Sequence, residues 1–212
     1  MQTQLRHGSL EQLADLLTEQ QGRKLDVVAS APAIYAMDGA ILLAGTDPVL
    51  NDDVVLQTEG LYDPSPVAIE GLSDKLNIPI AYLRRMHADR PDVFDATVNG
   101  LLHGSSAPDD RFGADERRFL LRCFGPGTGP DDDRRGIMRA VLSNAYGIID
   151  HFDVLTEALD GVREAGLDVV FDGCDLSERR MSVRIVAPTL PVLAPEFLAN
   201  YRSPHNGGRG GW

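Results

Sequence analysis

The hydrophobic residues between positions 115 and 187 follow a strand–strand–helix–strand–strand pattern, which constrains the fold more than any other feature of the chain. Residues 150–165 have apolar side chains at helical spacing and predict an amphipathic helix. Four apolar runs around this helix predict two hairpins, 119–124 with 137–142 and 167–171 with 181–186. An antiparallel sheet covered by helices buries both kinds of apolar face, so we predict an α+β fold.

The residues before position 115 predict an N-terminal helix, small β-hairpins and a group of helices. Ser9 and Gln12 have the spacing of a capping box at a helix start. Asp38-Gly39 between two apolar runs is a strong signal for a two-residue hairpin turn. The prolines at 64 and 66 predict a break in regular structure. Three helices are predicted after this break, at 67–76, from Pro79 and from Pro91.

We predict one α+β domain over residues 1–187, with 1–114 and 115–187 as an alternative subdivision. Residues 188–212 are rich in proline and then glycine, and we expect them to form a mobile tail. No apolar run approaches the length of a membrane span, and the first residues lack the pattern of a signal peptide. We therefore expect a soluble, cytoplasmic protein that has no membrane partner.

The chain has only two cysteines, Cys123 and Cys174, and each lies in or beside an apolar run of the second half. Buried free thiols are the preferred interpretation of such positions. A disulfide between them is the alternative. A reducing compartment agrees with the first interpretation.

The net charge of −12 argues against a general nucleic-acid coat protein, because sequence-independent binding of DNA depends on neutralising phosphates. The acidic excess lies mainly in residues 1–114, which carry 17 acidic against 8 basic side chains. Residues 115–212 are more balanced, with 15 acidic and 12 basic side chains.

Arginines on or beside the four predicted strands form the candidate nucleic-acid-binding site. If Arg122, Arg139 and Arg184 share one sheet face, they form a positive stripe that can follow a phosphate backbone. The alternative is that these side chains pair with local acids on a solvated face. The predicted binding residues are Arg118, Arg122, Arg139, Arg180 and Arg184.

Signals for catalysis and for metal binding are weak. Asp131-Asp132-Asp133 could bind a hard cation, but this run lacks the ligand spacing of a calcium loop, and a solvated loop is the simpler interpretation. His151 lies between Asp150 and Asp153, which is compatible with acid–base chemistry or with a helix start. The glycines at 125–129 lack the lysine of a phosphate-binding loop. We therefore predict no catalytic residue, no cofactor, no metal and no small-molecule substrate, and an enzyme is less favoured than a binding protein.

Four segments resemble a phage and plasmid family known as domain-of-unknown-function nine-three-two. They are Leu72–Met86 with the motif LNIPIAYLRRM, Arg139–Leu155, Glu178–Val186 and Ala194–Pro204. The resemblance implies a gene carried by phages, plasmids or their bacterial hosts. It implies no catalytic residues, because none is established for the family.

Two functions of different classes follow. The first is an accessory protein of DNA recombination or replication, which binds or anneals single-stranded DNA on the arginine-bearing sheet and forms a homo-oligomer. The second is an acidic protein-interaction module, such as an assembly or anti-host factor, whose acidic surface meets a basic partner. Binding to an oligonucleotide at low salt discriminates between them.

Overall fold

A computed structural model describes residues 3–51, 54–104, 117–125 and 135–188. The chain divides into a larger unit of residues 1–3 and 15–148 and a smaller unit of residues 4–14 and 149–212. The described helices are α1 (Leu10–Arg23), α2 (Pro66–Leu76), α3 (Ile80–Asp89), α4 (Pro91–His103) and α5 (His151–Glu164). The described strands are β1 (Leu5–Gly8), β2 (Lys24–Ser30), β3 (Ile34–Met37), β4 (Ala40–Leu43), β5 (Val49–Asn51), β6 (Val54–Leu56), β7 (Gly60–Pro64), β8 (Arg118–Phe124), β9 (Gly136–Ser143), β10 (Val170–Leu176) and β11 (Met181–Val186).

The larger unit is built on a six-stranded sheet in the order β2-β8-β9-β7-β4-β3. Neighbouring strands are antiparallel except β7 and β9, which run parallel. The core contains apolar side chains of these strands together with those of α2, α3 and α4. Helix α2 approaches β9 so closely that a Cβ atom at Gly71 would lie 2.4 Å from the backbone oxygen of Val141. A glycine is needed at this contact.

The local signals of the first half are confirmed. The backbone N–H of Ser9 donates to Oε1 of Gln12 at 2.9 Å, and the N–H of Gln12 donates to Oγ of Ser9 at 3.2 Å. This is the reciprocal capping box, and α1 begins at the next residue. Asp38 and Gly39 have φ angles of +53° and +76° between β3 and β4. Positive φ at both turn residues is characteristic of the type I′ turn of a two-residue hairpin.

The α+β class is also confirmed, but the four strands predicted between 115 and 187 belong to two sheets. They form the two predicted hairpins, β8 with β9 and β10 with β11. Strand β2 pairs along the whole length of β8, and β7 pairs with β9, which places the first hairpin inside the six-stranded sheet. The second hairpin pairs instead with β1. The single strand–strand–helix–strand–strand sheet is therefore not formed.

The break predicted at Pro64 and Pro66 is present but short, because β7, an interior strand of the sheet, extends to Pro64 and α2 begins at Pro66. A proline is tolerated there because the sheet contact continues through the N–H of Ser65, which donates to the oxygen of Met138 at 2.9 Å. Pro66 stands at the first position of α2, where its missing N–H costs nothing. Tyr62 in β7 is buried, and its hydroxyl donates to the oxygen of Thr58 at 2.8 Å.

The smaller unit contains α5 and the antiparallel three-stranded sheet β1-β10-β11. Its most buried apolar side chains include Leu155 of α5 and Cys174 and Leu176 of β10. Both cysteines are buried free thiols, as predicted, and burial raises the pKa of each. Over the ranges the structure describes, every helix is too short or too polar to cross a membrane.

Candidate nucleic-acid interface

The five predicted arginines lie in two different sheets. Arg118, Arg122 and Arg139 belong to strands β8 and β9 of the larger unit, whereas Arg180 and Arg184 belong to the β10–β11 hairpin of the smaller unit. The stripe expected from Arg122, Arg139 and Arg184 on one sheet face is therefore not formed by a single sheet. The sequence pattern predicts which side chains of one strand lie on the same face, but it does not predict which strands pair.

Arg122 forms an ion pair with Asp26 across the β2–β8 ladder. The two residues are direct partners in the register, and Nε of Arg122 donates to Oδ1 of Asp26 at 2.9 Å. Their side chains are only 12% and 13% exposed. This charge is neutralised in place, which agrees with the pairing alternative for this arginine.

The other two arginines of the larger unit have different surroundings. Arg139 lies at the bulge where β9 carries one residue more than β8, and its guanidinium is 5.7 Å from the centre of the Phe124 ring. That distance suits a cation–π contact. Arg118 begins β8 and is exposed. The binding of nucleic acid by Arg118 and Arg139 therefore stays a prediction.

The polar face of the smaller unit holds a groove of about 500 Å³ between β1 and the β10–β11 hairpin. Asp175 on β10 is the register partner of Ser182 on β11, so their side chains lie on the same face of the sheet. Arg184 lies on this face as well, because residues two positions apart on a strand share a face. The groove combines three arginines with one carboxylate and several neutral polar groups. Its polar lining consists of Gln4, Arg6, His7, Asp175, Ser177, Arg180, Ser182 and Arg184.

A bulge in β1 forms one wall of the groove. Leu5 pairs with Leu176 and Gly8 with Cys174, so β1 contains one residue more than β10 in this interval. His7 takes up the extra length with a φ of +49°, and its backbone N–H donates to Oδ1 of Asp175 at 3.0 Å. A residue with a side chain pays a strain cost at such a φ, and β-bulges often re-aim side chains near functional sites.

Among the described residues that line the groove, Asp175 is the only acid, and arginines surround it. Its pKa is held below the ordinary aspartate value, first by the hydrogen bond from the His7 N–H and then by electrostatic interaction with His7, Arg184 and Arg6. Asp175 is therefore ionised at neutral pH. The described lining residues, with three arginines and one carboxylate, carry a net charge of +2 in a chain whose total charge is −12.

The hairpin positions the two predicted arginines of this groove. Arg180 follows the β10–β11 turn, where its N–H donates to Oγ of Ser177 at 3.1 Å and its oxygen accepts from the N–H of Ser177 at 2.8 Å. Arg184 lies opposite Gly173, where a Cβ atom would come within 3.3 Å of its Nη2. Nε of Arg184 also donates to Asp172 at 3.2 Å, but both side chains are half exposed, so this pair holds the arginine weakly.

The weaker sites predicted from the sequence remain unassigned. Asp131-Asp132-Asp133 and most of the glycine loop at 125–129 lie outside the described residues. His151 begins α5, and Asp150 stands immediately before it. Where the chain is described, no group of three or more histidine, cysteine or acidic residues is arranged to hold a metal ion.

Sequence reasoning missed Arg6 and His7, which complete the groove. Residues 5–8 are too few for a periodic signal, and a four-residue edge strand is recognisable only from the partner it pairs with. The alternation of Gln4, Leu5 and Arg6 is the one local hint that a strand with a polar face begins here.

A comparison of the chain with protein-family models, with curated proteins and with solved structures finds no match. The resemblance to domain-of-unknown-function nine-three-two therefore stays an expectation.

Proposed function

We propose that this protein binds single-stranded nucleic acid through the groove of its three-stranded sheet. The observation that carries the proposal is the local concentration of Arg6, Arg180 and Arg184 around one carboxylate in a strongly acidic chain. Guanidinium groups bind phosphate oxygens with two parallel hydrogen bonds, and the hydroxyl of Ser182 adds a further donor. The acidic remainder of the molecule repels nucleic acid and confines binding to this site.

The residues that line the groove favour contacts to the phosphate backbone over contacts to the bases. No phenylalanine, tyrosine or tryptophan is among the described residues that line it. Stacking on aromatic rings supplies much of the affinity in many single-strand-binding proteins. Without it, contacts to the phosphate backbone dominate, so binding is independent of sequence and sensitive to salt.

The proposed biological role is that of an accessory factor in DNA recombination or replication of a phage or other mobile element. It acts in the cytoplasm of the bacterial host and works as a homo-oligomer, which brings several grooves onto one strand. The resemblance of Arg139–Leu155 and Glu178–Val186 to a phage and plasmid family supports this setting. Repeated weak sites on one ligand raise the overall affinity.

Matched arginine variants test the site. Fluorescence anisotropy of a labelled oligonucleotide is measured at low salt with Arg180→Ala and with Arg118→Ala, which removes an exposed arginine of the other sheet. The proposal expects weaker binding for Arg180→Ala and wild-type binding for Arg118→Ala. Weaker binding by Arg118→Ala alone would place the site on the six-stranded sheet. Equal affinities of the wild type and both variants would contradict binding in the groove.

A second candidate function is protein interaction, and an exposed surface between α3 and α4 favours it. Tyr82 is 69% exposed there and borders a largely apolar groove of about 460 Å³ with Met86 and Val93. This surface lies in the first half of the chain, and its described charged lining residues are Arg85, Asp89 and Arg90. If Tyr82→Ala abolishes capture of a stoichiometric host protein while oligonucleotide binding is absent in the wild type, the interaction module replaces the nucleic-acid proposal.

A further inference from the structure

Strand β11 is an edge strand of the sheet β1-β10-β11, and its outer side has no hydrogen-bond partner among the described residues. The β3 edge of the six-stranded sheet is different. There, Asn99 of α4 accepts from the N–H of Ala36 at 2.7 Å and donates to its oxygen at 2.8 Å, and Asp95 and His103 of the same helix bond to further backbone groups of the hairpin. An edge without such cover is a template for adding another strand.

The ladder between β10 and β11 determines which backbone groups point outward. The N–H of Ser177 donates to the oxygen of Arg180 at 2.8 Å, so the pair that closes the turn is hydrogen-bonded. Bonded and non-bonded pairs alternate from there along an antiparallel ladder, and the bulge in this ladder is carried by β10. Met181, Val183 and Ile185 therefore direct both their N–H and their carbonyl oxygen away from β10.

The two faces of β11 differ in their chemistry, because side chains alternate along a strand. One face carries the half-buried apolar side chains of Met181, Val183 and Ile185. The other face carries Arg180, Ser182, Arg184 and Val186. A strand added at this edge continues both faces, so its own side chains alternate between apolar and basic surroundings.

The arginines of the second face are available to an added strand. Among the described residues, none forms an ion pair with Arg180. Arg184 pairs with Asp172, but both of these side chains are more than half exposed. Ser182 and Arg184 would form the non-hydrogen-bonded pairs with the new strand, where side chains approach most closely. Opposite charges in such cross-strand pairs stabilise a sheet, which favours acidic residues at alternate positions of the occupant.

Two other occupants meet these requirements less well. Antiparallel pairing of two copies through Val183 would place Arg180 and Arg184 of both strands on one face, where like charges repel. A DNA strand has acceptors along its backbone but no donors for the three outward carbonyl oxygens. A polypeptide with acidic side chains satisfies both the backbone groups and the arginines.

We propose that the outer edge of β11 binds an extended segment of a partner protein in which acidic and apolar residues alternate. The segment adds as an antiparallel strand, with its acidic side chains opposite Ser182 and Arg184 and its apolar side chains beside Val183 and Ile185. Opposite Val186, which is 50% exposed, it carries a further apolar residue. Binding at this edge requires no nucleic acid.

Two synthetic peptides of seven residues test the charge requirement. The first has glutamate at its third, fifth and seventh positions and valine elsewhere, and the second has lysine in place of each glutamate. We expect the wild-type chain to bind the labelled glutamate peptide at least tenfold more tightly in fluorescence anisotropy at low salt. The net charge of −12 would by itself favour the lysine peptide, so this preference reports the local edge.

The charge-reversed variant Arg180→Glu/Arg184→Glu is expected to prefer the lysine peptide. Absence of binding of the glutamate peptide to the wild type, or equal binding of the two peptides, overturns the proposal. A preference for glutamate that persists in the charge-reversed variant overturns it as well.

Amide hydrogen exchange locates the bound peptide. In the free chain we expect fast exchange at Met181, Val183 and Ile185 and slow exchange at Arg184, which bonds to β10. Saturation with the glutamate peptide should slow the three outward N–H groups about tenfold and change Arg184 little. Slow exchange of the three groups in the free chain would show that the edge is already paired, and unchanged exchange at saturation would place the peptide elsewhere. Either result overturns the proposal.

A proline on β11 tests the backbone bonds. Val183→Pro removes an outward N–H without removing a bond to β10, and Val183→Ala is its control because it shortens the side chain and keeps the N–H. We expect about tenfold weaker binding of the glutamate peptide by Val183→Pro than by Val183→Ala. The same peptide with an N-methyl group on its fourth residue, which lies opposite Val183, makes the corresponding test on the wild-type chain. Undiminished binding of the methylated peptide overturns strand addition.

Discussion

The backbone N–H of His7 donates a 3.0 Å hydrogen bond to the carboxylate of Asp175, across the bulge that joins β1 to β10. This bond places an anion of the protein itself among the three arginines of the proposed nucleic-acid groove. Asp175 therefore has two effects. It holds the bulge in shape, and its negative charge opposes an incoming phosphate.

Replacing Asp175 with asparagine separates these effects. The amide oxygen of Asp175→Asn keeps an acceptor for the His7 N–H, whereas the negative charge is lost. We expect a few-fold tighter binding of a single-stranded oligonucleotide at low salt, measured by fluorescence anisotropy. Asp153→Asn is the comparison, because it removes the same charge from an exposed residue of α5 that does not line the groove. A weaker affinity in Asp175→Asn would contradict the assignment.

The stability of the protein should depend on Asp175 in acid. The pKa of this carboxyl is lowered in the folded chain, first by the His7 N–H and then by nearby positive charge. A lowered folded pKa stabilises the fold above the ordinary aspartate value of about 3.9, and this contribution is lost as the pH falls below it. Thermal unfolding between pH 6 and 3 should show a larger fall in Tm for the wild type than for Asp175→Asn. Parallel curves would show that the bond does not persist in solution.

The Asp26–Arg122 pair should contribute to folding and not to binding. Because both side chains are largely buried, removing one of them takes an ion-pair partner from a largely buried charge. We expect Asp26→Ala or Arg122→Ala to cost about 3 kcal/mol in denaturant unfolding. The double variant Asp26→Val/Arg122→Leu should recover much of this loss. Oligonucleotide affinity should stay at the wild-type level in the double variant; a large loss of affinity would return Arg122 to the binding surface.

Two helical glycines should respond in opposite directions to alanine. Gly71→Ala places a methyl group 2.4 Å from the Val141 oxygen, so α2 has to move away from β9, and we expect a loss of about 2 kcal/mol. At Gly161 in α5 a Cβ atom meets nothing within 4 Å, and Gly161→Ala should stabilise by about 0.5–1 kcal/mol. Denaturant unfolding of both variants measures the contrast. A neutral Gly71→Ala would show that the α2–β9 contact is looser than described.

The features that short-range patterns encode were predictable from the sequence. The Ser9–Gln12 capping box and the Asp38-Gly39 turn depend on residues within three positions of each other, and both form as predicted. Strand β7 was not predictable in this way. Its place is set by a parallel pairing of Tyr62 with Gly136, which are far apart in the chain and leave no local trace.

The candidate site shows the same limit. Arg180 and Arg184 were predicted from the alternation of β11, but the groove also needs Arg6 and His7 from a four-residue strand at the other end of the chain. The hydrogen bonds that three polar residues of α4 form with β3 and the turn after it were not predicted, for a related reason. Asp95, Asn99 and His103 have ordinary surface spacing on a helix, and only the position of the β3 edge gives them a structural role.

The salt dependence of oligonucleotide binding by the wild-type chain tests the central claim most directly. Each phosphate neutralised on a single strand contributes about −0.7 to the slope of log K against log salt concentration. The three arginines of the groove predict binding at about 50 mM salt and a slope near −2, falling toward −1.4 in Arg180→Ala. Absence of binding at that salt concentration, or an affinity that does not change with salt, would contradict a phosphate-binding groove.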